Sequence, residues 1–212
     1  MPDPSRLALF AGAALALLVV PGPAVLYIVT QSIDQGRRAG LASTAGIFTG
    51  TLVHVAAATV GLSALLASSA LAFDVVKYLG AAYLILVGLR RLAGLERAAE
   101  PLAARPRTHA RLYRQGIVVN VLNPKTALFF LAFLPQFVDP SRGPAWLQIL
   151  LLGLLFACLG FVSDSAWALV AGTLGDRMRR STRYLRVQRF VSGSVFVGLG
   201  AVAAFSAPVR RH

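Results

Sequence analysis

The sequence predicts an all-α polytopic membrane protein. It should have six transmembrane helices arranged as two inverted three-helix repeats, with the first and fourth helices broken. Three observations carry that expectation. The chain of 212 residues is 57% hydrophobic and 14% charged, where a soluble domain carries about 25% charged residues, and its mean hydropathy is +0.69. The apolar residues come as long blocks separated by basic gaps rather than as short amphipathic pieces. Two of the blocks are interrupted near their middles, one by Pro21-Gly22-Pro23 and one by Asn123-Pro124-Lys125.

Taken in order, the first segment runs from about Ser5 to Gln31. Arg6 followed by the run Leu7 to Val20 resembles a signal peptide, but no A-x-A-like site follows and apolar character resumes after Pro23, so a retained helix is expected. Inside it, proline lacks an N–H and clashes with the preceding turn, while glycine adds backbone freedom. The second segment, about Ala39 to Leu66, places Ala42, Gly46, Gly50, His54 and Ala58 at spacing four, on one helix face. Small residues let a neighbouring helix approach closely. His54 should therefore face protein, either as a proton relay or hydrogen-bonded into the bundle.

The third segment is about Phe73 to Leu92, and a basic linker, Ala93 to Arg114, follows it. The fourth segment, Gln115 to Val138, holds the second break. The fifth, Ala145 to Leu174, repeats the spacing-four pattern with Gly160, Asp164, Ala168 and Gly172. An ionisable residue at the centre of a membrane helix costs about 2.5–3.5 kcal/mol on insertion scales, so Asp164 should point into the bundle and act there. The sixth segment is about Phe190 to Ala207. A span needs about 20 apolar residues, and each segment meets or approaches that length.

Charge orients the chain. Of 21 basic residues 19 are arginine, and fifteen of these lie in the gaps between segments one and two, three and four, and five and six; Arg6, Arg142, Arg210 and Arg211 fall on the opposite side. The positive-inside rule puts the arginine-rich side in the cytoplasm and both termini outside. It also accounts for the net charge of +13 without a nucleic-acid partner, although the basic loops suit anionic membrane lipid. The whole chain, 1–212, is then one transporter domain: a first repeat 1–92, a cytoplasmic linker 93–114 and a second repeat 115–212. An odd number of helices per half inverts the second half relative to the first.

In lipid a broken backbone must be satisfied by protein or by water in a cavity, and matched breaks in two halves point to a midplane binding site. Pro124 suits the first position of a helix and Asn123 its N-cap. Lys125 adds a full positive charge to the positive dipole end, a combination that suits a carboxylate. After Pro23, the N–H groups of Ala24, Val25 and Leu26 should lack helical partners. Asn120 adds a polar group, while Gln31 and Gln136 read as hydrated helix ends. Asp164 can bind a proton, a cationic amine or Lys125. Cys158 is alone, and His54, His109 and His212 have no metal-ligand spacing. No nucleotide-binding or hydrolytic motif is present, so neither a metal, a cofactor nor an enzyme is expected.

The stretch PGPAVLYIVTQSIDQGRRAGLASTAGIFTG resembles the first block of the LysE/RhtB amino-acid exporter family; QGIVVNVLNPKTALFFLAFLPQFVDP resembles its fourth-helix block, and RFVSGSVFVGLG its last helix. The resemblance spans nearly the whole chain. It implies a six-helix, multi-pass exporter of the cell inner membrane for amino acids or related metabolites, driven by the proton gradient, with Pro21, Gly22, Pro23, Asn123, Pro124 and Lys125 as motif positions and Asp164 in the place of the fifth-helix acid. Oligomeric state is left open. A site with Asp164 paired to Lys125 is nearly neutral and favours a zwitterionic neutral substrate over a dibasic one. The competing readings are a metal-ion exporter on a related fold, a thiol-redox enzyme, which needs a second cysteine, and a membrane protein with a purely structural role.

Overall fold

In a computed structural model, residues 4–68 and 108–179 are described, with isolated positions between 75 and 93 and between 190 and 201. The predicted third and sixth segments and most of the linker lie outside the described residues, apart from those isolated positions. The pairing of two inverted repeats lies outside them too.

Helix α1 (Pro4–Val19) and helix α2 (Pro23–Gln35) form the first segment, bent by 50° at the predicted break. The bend follows from Pro21 and Pro23, which remove two backbone donors within three residues. Gly22 between them is extended, at φ −120° and ψ −169°. Helix α3 (Arg37–Ser68) starts one residue after α2 ends. Gly36 makes that corner at φ +84°, a conformation that suits glycine, and its carbonyl accepts from the N–H groups of Ala39 and Gly40. The gap expected between the first two segments is thereby reduced to a single residue.

Helix α4 (His109–Val121) is capped by the Thr108 hydroxyl, which accepts from Arg111 N–H at 3.3 Å. Helix α5 (Pro124–Leu128) resumes after the second break at 45° to α4. It then widens into a π turn (Phe129–Phe133) and tightens into a 3₁₀ turn (Leu134–Phe137). Pro135 explains this irregularity, because its ring displaces the carbonyl four residues back and it offers no N–H. Gln136, half-buried, donates to the carbonyl of buried Ala132 at 2.7 Å. After a short 3₁₀ turn (Pro140–Arg142), helix α6 (Ala145–Arg179) runs without a break.

Helices α3 and α6 are each long and apolar enough to cross a membrane, and each bent pair has the length and composition of a broken span or a re-entrant loop. The described residues thus form a multi-pass, all-helical membrane bundle. Its contacts follow the small-residue faces. A Cβ added at Gly50 would lie 2.9 Å from the Ile117 carbonyl, and one at Gly116 would lie 2.7 Å from the Ser43 carbonyl, so α3 and α4 touch backbone to backbone. On α6, Gly160 packs against Leu18, and Gly172 against Ser32 and Arg37.

Two apolar clusters divide the bundle lengthwise. The larger joins Phe10 and Leu17 of α1, Val55 and Leu62 of α3, the phenylalanines of residues 129–137, and Ile149 to Phe156 of α6. It is rich in aromatic contacts: Phe129 stacks on Phe156 at 4.4 Å, and Phe10 meets Phe137 edge-on at 5.2 Å. The smaller holds Ala24, Tyr27 and Ile28 of α2 with Ile47 and Ala168. The breaks lie at the change from one cluster to the other.

Candidate functional site

The two breaks meet. Lys125, at the start of α5, is 8% exposed, and its ammonium donates to the Val20 carbonyl at the end of α1, 2.5 Å away. That carbonyl follows the last turn of α1, where backbone acceptors have no helical partner and the helix dipole is negative. The lysine chain passes over Gly22, whose added Cβ would stand 2.9 Å from Lys125 Cδ. Lys125 thus joins the two motif positions that the sequence separates by a hundred residues.

The second break is held by side chains. Asn123 caps α5 as expected, its Oδ1 accepting from Lys125 N–H at 3.1 Å. Its Nδ2 donates to Asn120 Oδ1 and to Thr126 Oγ1, and the Thr126 hydroxyl donates to Asn120 Oδ1. Asn120 completes the set by donating to the Ile47 carbonyl and to Thr51 Oγ1, both at 2.8 Å. A carboxamide has two donor and two acceptor positions, and those of Asn120 are all used. Asn120 therefore clamps the break to α3 in this structure. Thr51 and Thr126 are part of the clamp, and sequence reading passed over them because isolated threonines in apolar helices carry no distinctive spacing.

The first break has no side-chain N-cap among the described residues. Gly22 offers no side chain to cap α2. Leu26 N–H, expected to be unpaired, bonds to the Gly22 carbonyl at 2.9 Å, so only the N–H groups of Ala24 and Val25 keep the expected status. Farther along, α2 is anchored by the Ser32 hydroxyl donating to the Ala168 carbonyl and by the Tyr27 hydroxyl donating to the Leu112 carbonyl at 2.8 Å. Gln31, expected at a hydrated helix end, is buried and accepts from Gln35 at 3.2 Å.

Asp164 is 6% exposed on α6, facing the bundle as its spacing predicted. Its backbone carbonyl meets Thr44 Oγ1 of α3 at 3.5 Å. No hydrogen bond or ion pair joins its carboxylate to another described residue. The direct Asp164–Lys125 pair left open by the sequence is therefore not formed, because the lysine is turned toward Val20. Next to Asp164, the Ser165 Oγ is buried without a hydrogen-bond partner. Sequence reading missed it, although a hydroxyl beside a buried acid was visible.

His54 stands apart from this group. Its Nε2 is 2.9 Å from the Asn120 carbonyl, and its ring stacks on Phe130 at 6.0 Å. Ten residues of α3 separate it from Thr44, roughly 15 Å along the helix axis. His54 thus touches the second break, while Asp164 lies on the α2 side of the bundle.

At the far end of α1, Arg6 reaches Asp139 at 3.6 Å, and Arg142 reaches the same carboxylate at 3.5 Å. Gln148 ties down this loop by accepting from Asp139 N–H and donating to the carbonyls of Asp139 and Gly143.

The LysE type translocator family matches residues 15–207. An uncharacterized membrane protein of Vibrio cholerae is 31% identical over 195 residues, covering 90% of this chain and 92% of that one. Homoserine/homoserine lactone efflux proteins of Salmonella typhimurium and Salmonella typhi are 32% and 31% identical over 188 residues, each covering 89% of this chain and 90% of the relative. No solved structure matches the chain. Two proline breaks in contact, a small-residue bundle and a match across nearly the full length agree: this chain belongs to the LysE type translocator family and is a membrane transporter, not an enzyme.

Proposed function

We propose that the chain is a secondary exporter of small α-amino acids and close relatives across the bacterial inner membrane, with its site between the two breaks and α6. The observation that carries the reading is Lys125, buried at the junction of the breaks, in a bundle that also buries Asp164 on α6. An α-amino acid presents an ammonium beside a carbonyl oxygen. Asp164 suits the first and Lys125 the second, with Pro21, Gly22, Pro23, Asn123 and Pro124 shaping the backbone around them. Asn120 contributes by holding Asn123, and the Ser165 hydroxyl is available to a polar substrate side chain.

The Salmonella relatives are named for homoserine and its lactone. These share the amine and the adjoining carbonyl oxygen but not the free carboxylate. Lys125 already accepts a neutral carbonyl partner in Val20, which supports a site that takes either oxygen.

In this reading Asp164 is the proton-coupling or amine-binding group, since a buried carboxylate can change protonation as a neighbouring charge moves. His54, bonded at the second break, is the second candidate for proton coupling or amine binding. The chain is one domain of two inverted repeats, 1–92 and 115–212, joined by a cytoplasmic linker, 93–114. The Arg6–Asp139 end then faces outward, and the aromatic cluster closes that end.

The test is uptake of labelled L-homoserine and other amino acids into inverted vesicles carrying the protein, with and without a proton gradient. Gradient-dependent accumulation of a neutral amino acid is expected. Equal uptake by vesicles with and without the protein, across the amino-acid panel, would remove the reading.

A further inference from the structure

We propose that Lys125 changes partners during transport, holding the end of α1 when the site is empty and an oxygen of the substrate when it is loaded, and that Gly22 is the positioning residue that keeps its path open. The inference rests on the function proposed above and adds the part that moves.

The first support is the bond itself. A buried ammonium must be hydrogen-bonded, and it donates here to the Val20 carbonyl at the end of α1. A substrate carbonyl or carboxylate offers the same kind of acceptor. Exchange of one for the other leaves the lysine satisfied throughout, so neither partner state strands a buried charge.

The second support is the reason for glycine at position 22. Its φ of −120° is open to any residue. Space is what demands glycine here, since an added Cβ would lie 2.9 Å from Lys125 Cδ and 3.5 Å from Nζ. The clash is with a flexible chain and not with backbone, so a side chain at 22 displaces the lysine rather than the fold.

The third support is unequal anchoring. The second break is clamped by Asn120, Asn123, Thr126 and Thr51, and α2 is bonded to α4 and α6 by Tyr27 and Ser32. Polar anchors of α1 among the described residues include Arg6–Asp139 at one end and Val20–Lys125 at the other. Pro21-Gly22 is therefore the joint about which α1 can pivot while α2 stays docked. When a substrate oxygen takes Lys125, the Val20 anchor is released.

The experiment measures α1 directly. Spin labels are placed at Leu9→Cys on α1 and Val60→Cys on α3, both exposed positions, in a Cys158→Ser background reconstituted into vesicles. The distance distribution is read by pulsed electron paramagnetic resonance with and without L-homoserine, alongside equilibrium binding of the same compound. Ligand should shift the distribution in the parent protein. Lys125→Met and Gly22→Ala should both show the shifted distribution without ligand and respond no further. The expected change in the α1 equilibrium is roughly 10–100-fold, the ratio carried by a charge-assisted hydrogen bond of about 1.5–3 kcal/mol.

A parent-like distribution in unliganded Gly22→Ala overturns the proposal, and that variant decides the matter if Lys125→Met fails to reach the membrane. Absence of L-homoserine binding to the parent counts against the proposed substrate instead, and the unliganded variants still decide the fate of the latch.

Discussion

Lys125 and Val20 are bonded at 2.5 Å across 105 positions of sequence. This contact unites two features that look independent in the chain: a half-helix that ends at a proline break and a half-helix that starts with a lysine. Among the described residues it also leaves the Asp164 carboxylate without a bonded partner.

Because Lys125 is bonded to Val20, neutralising Asp164 does not strand it. Asp164→Asn should therefore reach the membrane at parental abundance and lose gradient-driven export, while exchange of substrate between the two sides without a gradient persists. Quantitative blotting and vesicle transport check both halves. If Asp164→Asn with Lys125→Met restores gradient-driven export, the acid has no coupling role.

Asn120→Ala removes four buried hydrogen bonds at once. Side-chain bonds between membrane helices average about 0.6 kcal/mol, so the loss should be roughly 2–3 kcal/mol. At about 2–4 °C per kcal/mol for a chain of this size, the melting temperature in detergent should fall by roughly 5–10 °C. An unchanged melting curve would mean that the second break is held by something else.

Gly46→Val tests the α3–α4 contact. An added Cβ meets the Tyr113 carbonyl and the Cα of Gly116, which are backbone and cannot turn aside. The variant should be nearly absent from the membrane, whereas Gly22→Ala should accumulate normally. Equal abundance of the two would show that α3 and α4 separate at little cost.

The Asp139 carboxyl is held below its ordinary value of 3.8, chiefly by the Ser141 hydroxyl, with help from the Ser141 N–H, Arg6 and Arg142, against partial desolvation. A lowered pKa gives a contribution that is present above the ordinary value and lost as pH falls through the lowered one. From about pH 5 to pH 8 the Arg6–Asp139–Arg142 cluster should thus stay charged, and Asp139→Asn should alter transport by one constant factor. A factor that changes with pH in that window would mean that Asp139 titrates there. The loss of stability should be small, because exposed ion pairs contribute about 0–1 kcal/mol.

Orientation is open to direct labelling. In the Cys158→Ser background, a cysteine at Ala104 in the linker should resist an impermeant thiol reagent in intact cells, and one at Ser141 should react. The opposite pattern would invert the assignment of cytoplasm and exterior.

The apolar blocks, the two proline breaks, the small-residue faces and the inward direction of Asp164 were all legible in the sequence. Each depends on short-range rules: helix period, proline's missing donor, and the cost of a charge in lipid. The Asn123 cap was legible for the same reason. The partner of Lys125 was not, because a flexible side chain chooses among acceptors that only folding brings near. Nor were the closure of the Asn120 clamp, which needs α3 and α4 in register, or the π turn at Phe129–Phe133, whose cause, Pro135, was in view but whose form depended on packing. Gly22 shows the division most plainly. The sequence places a glycine between two prolines and suggests conformational freedom; the bundle shows an ordinary extended backbone and a lysine crossing it. Local chemistry determined where the chain would break, and long-range packing decided what would lie in the break.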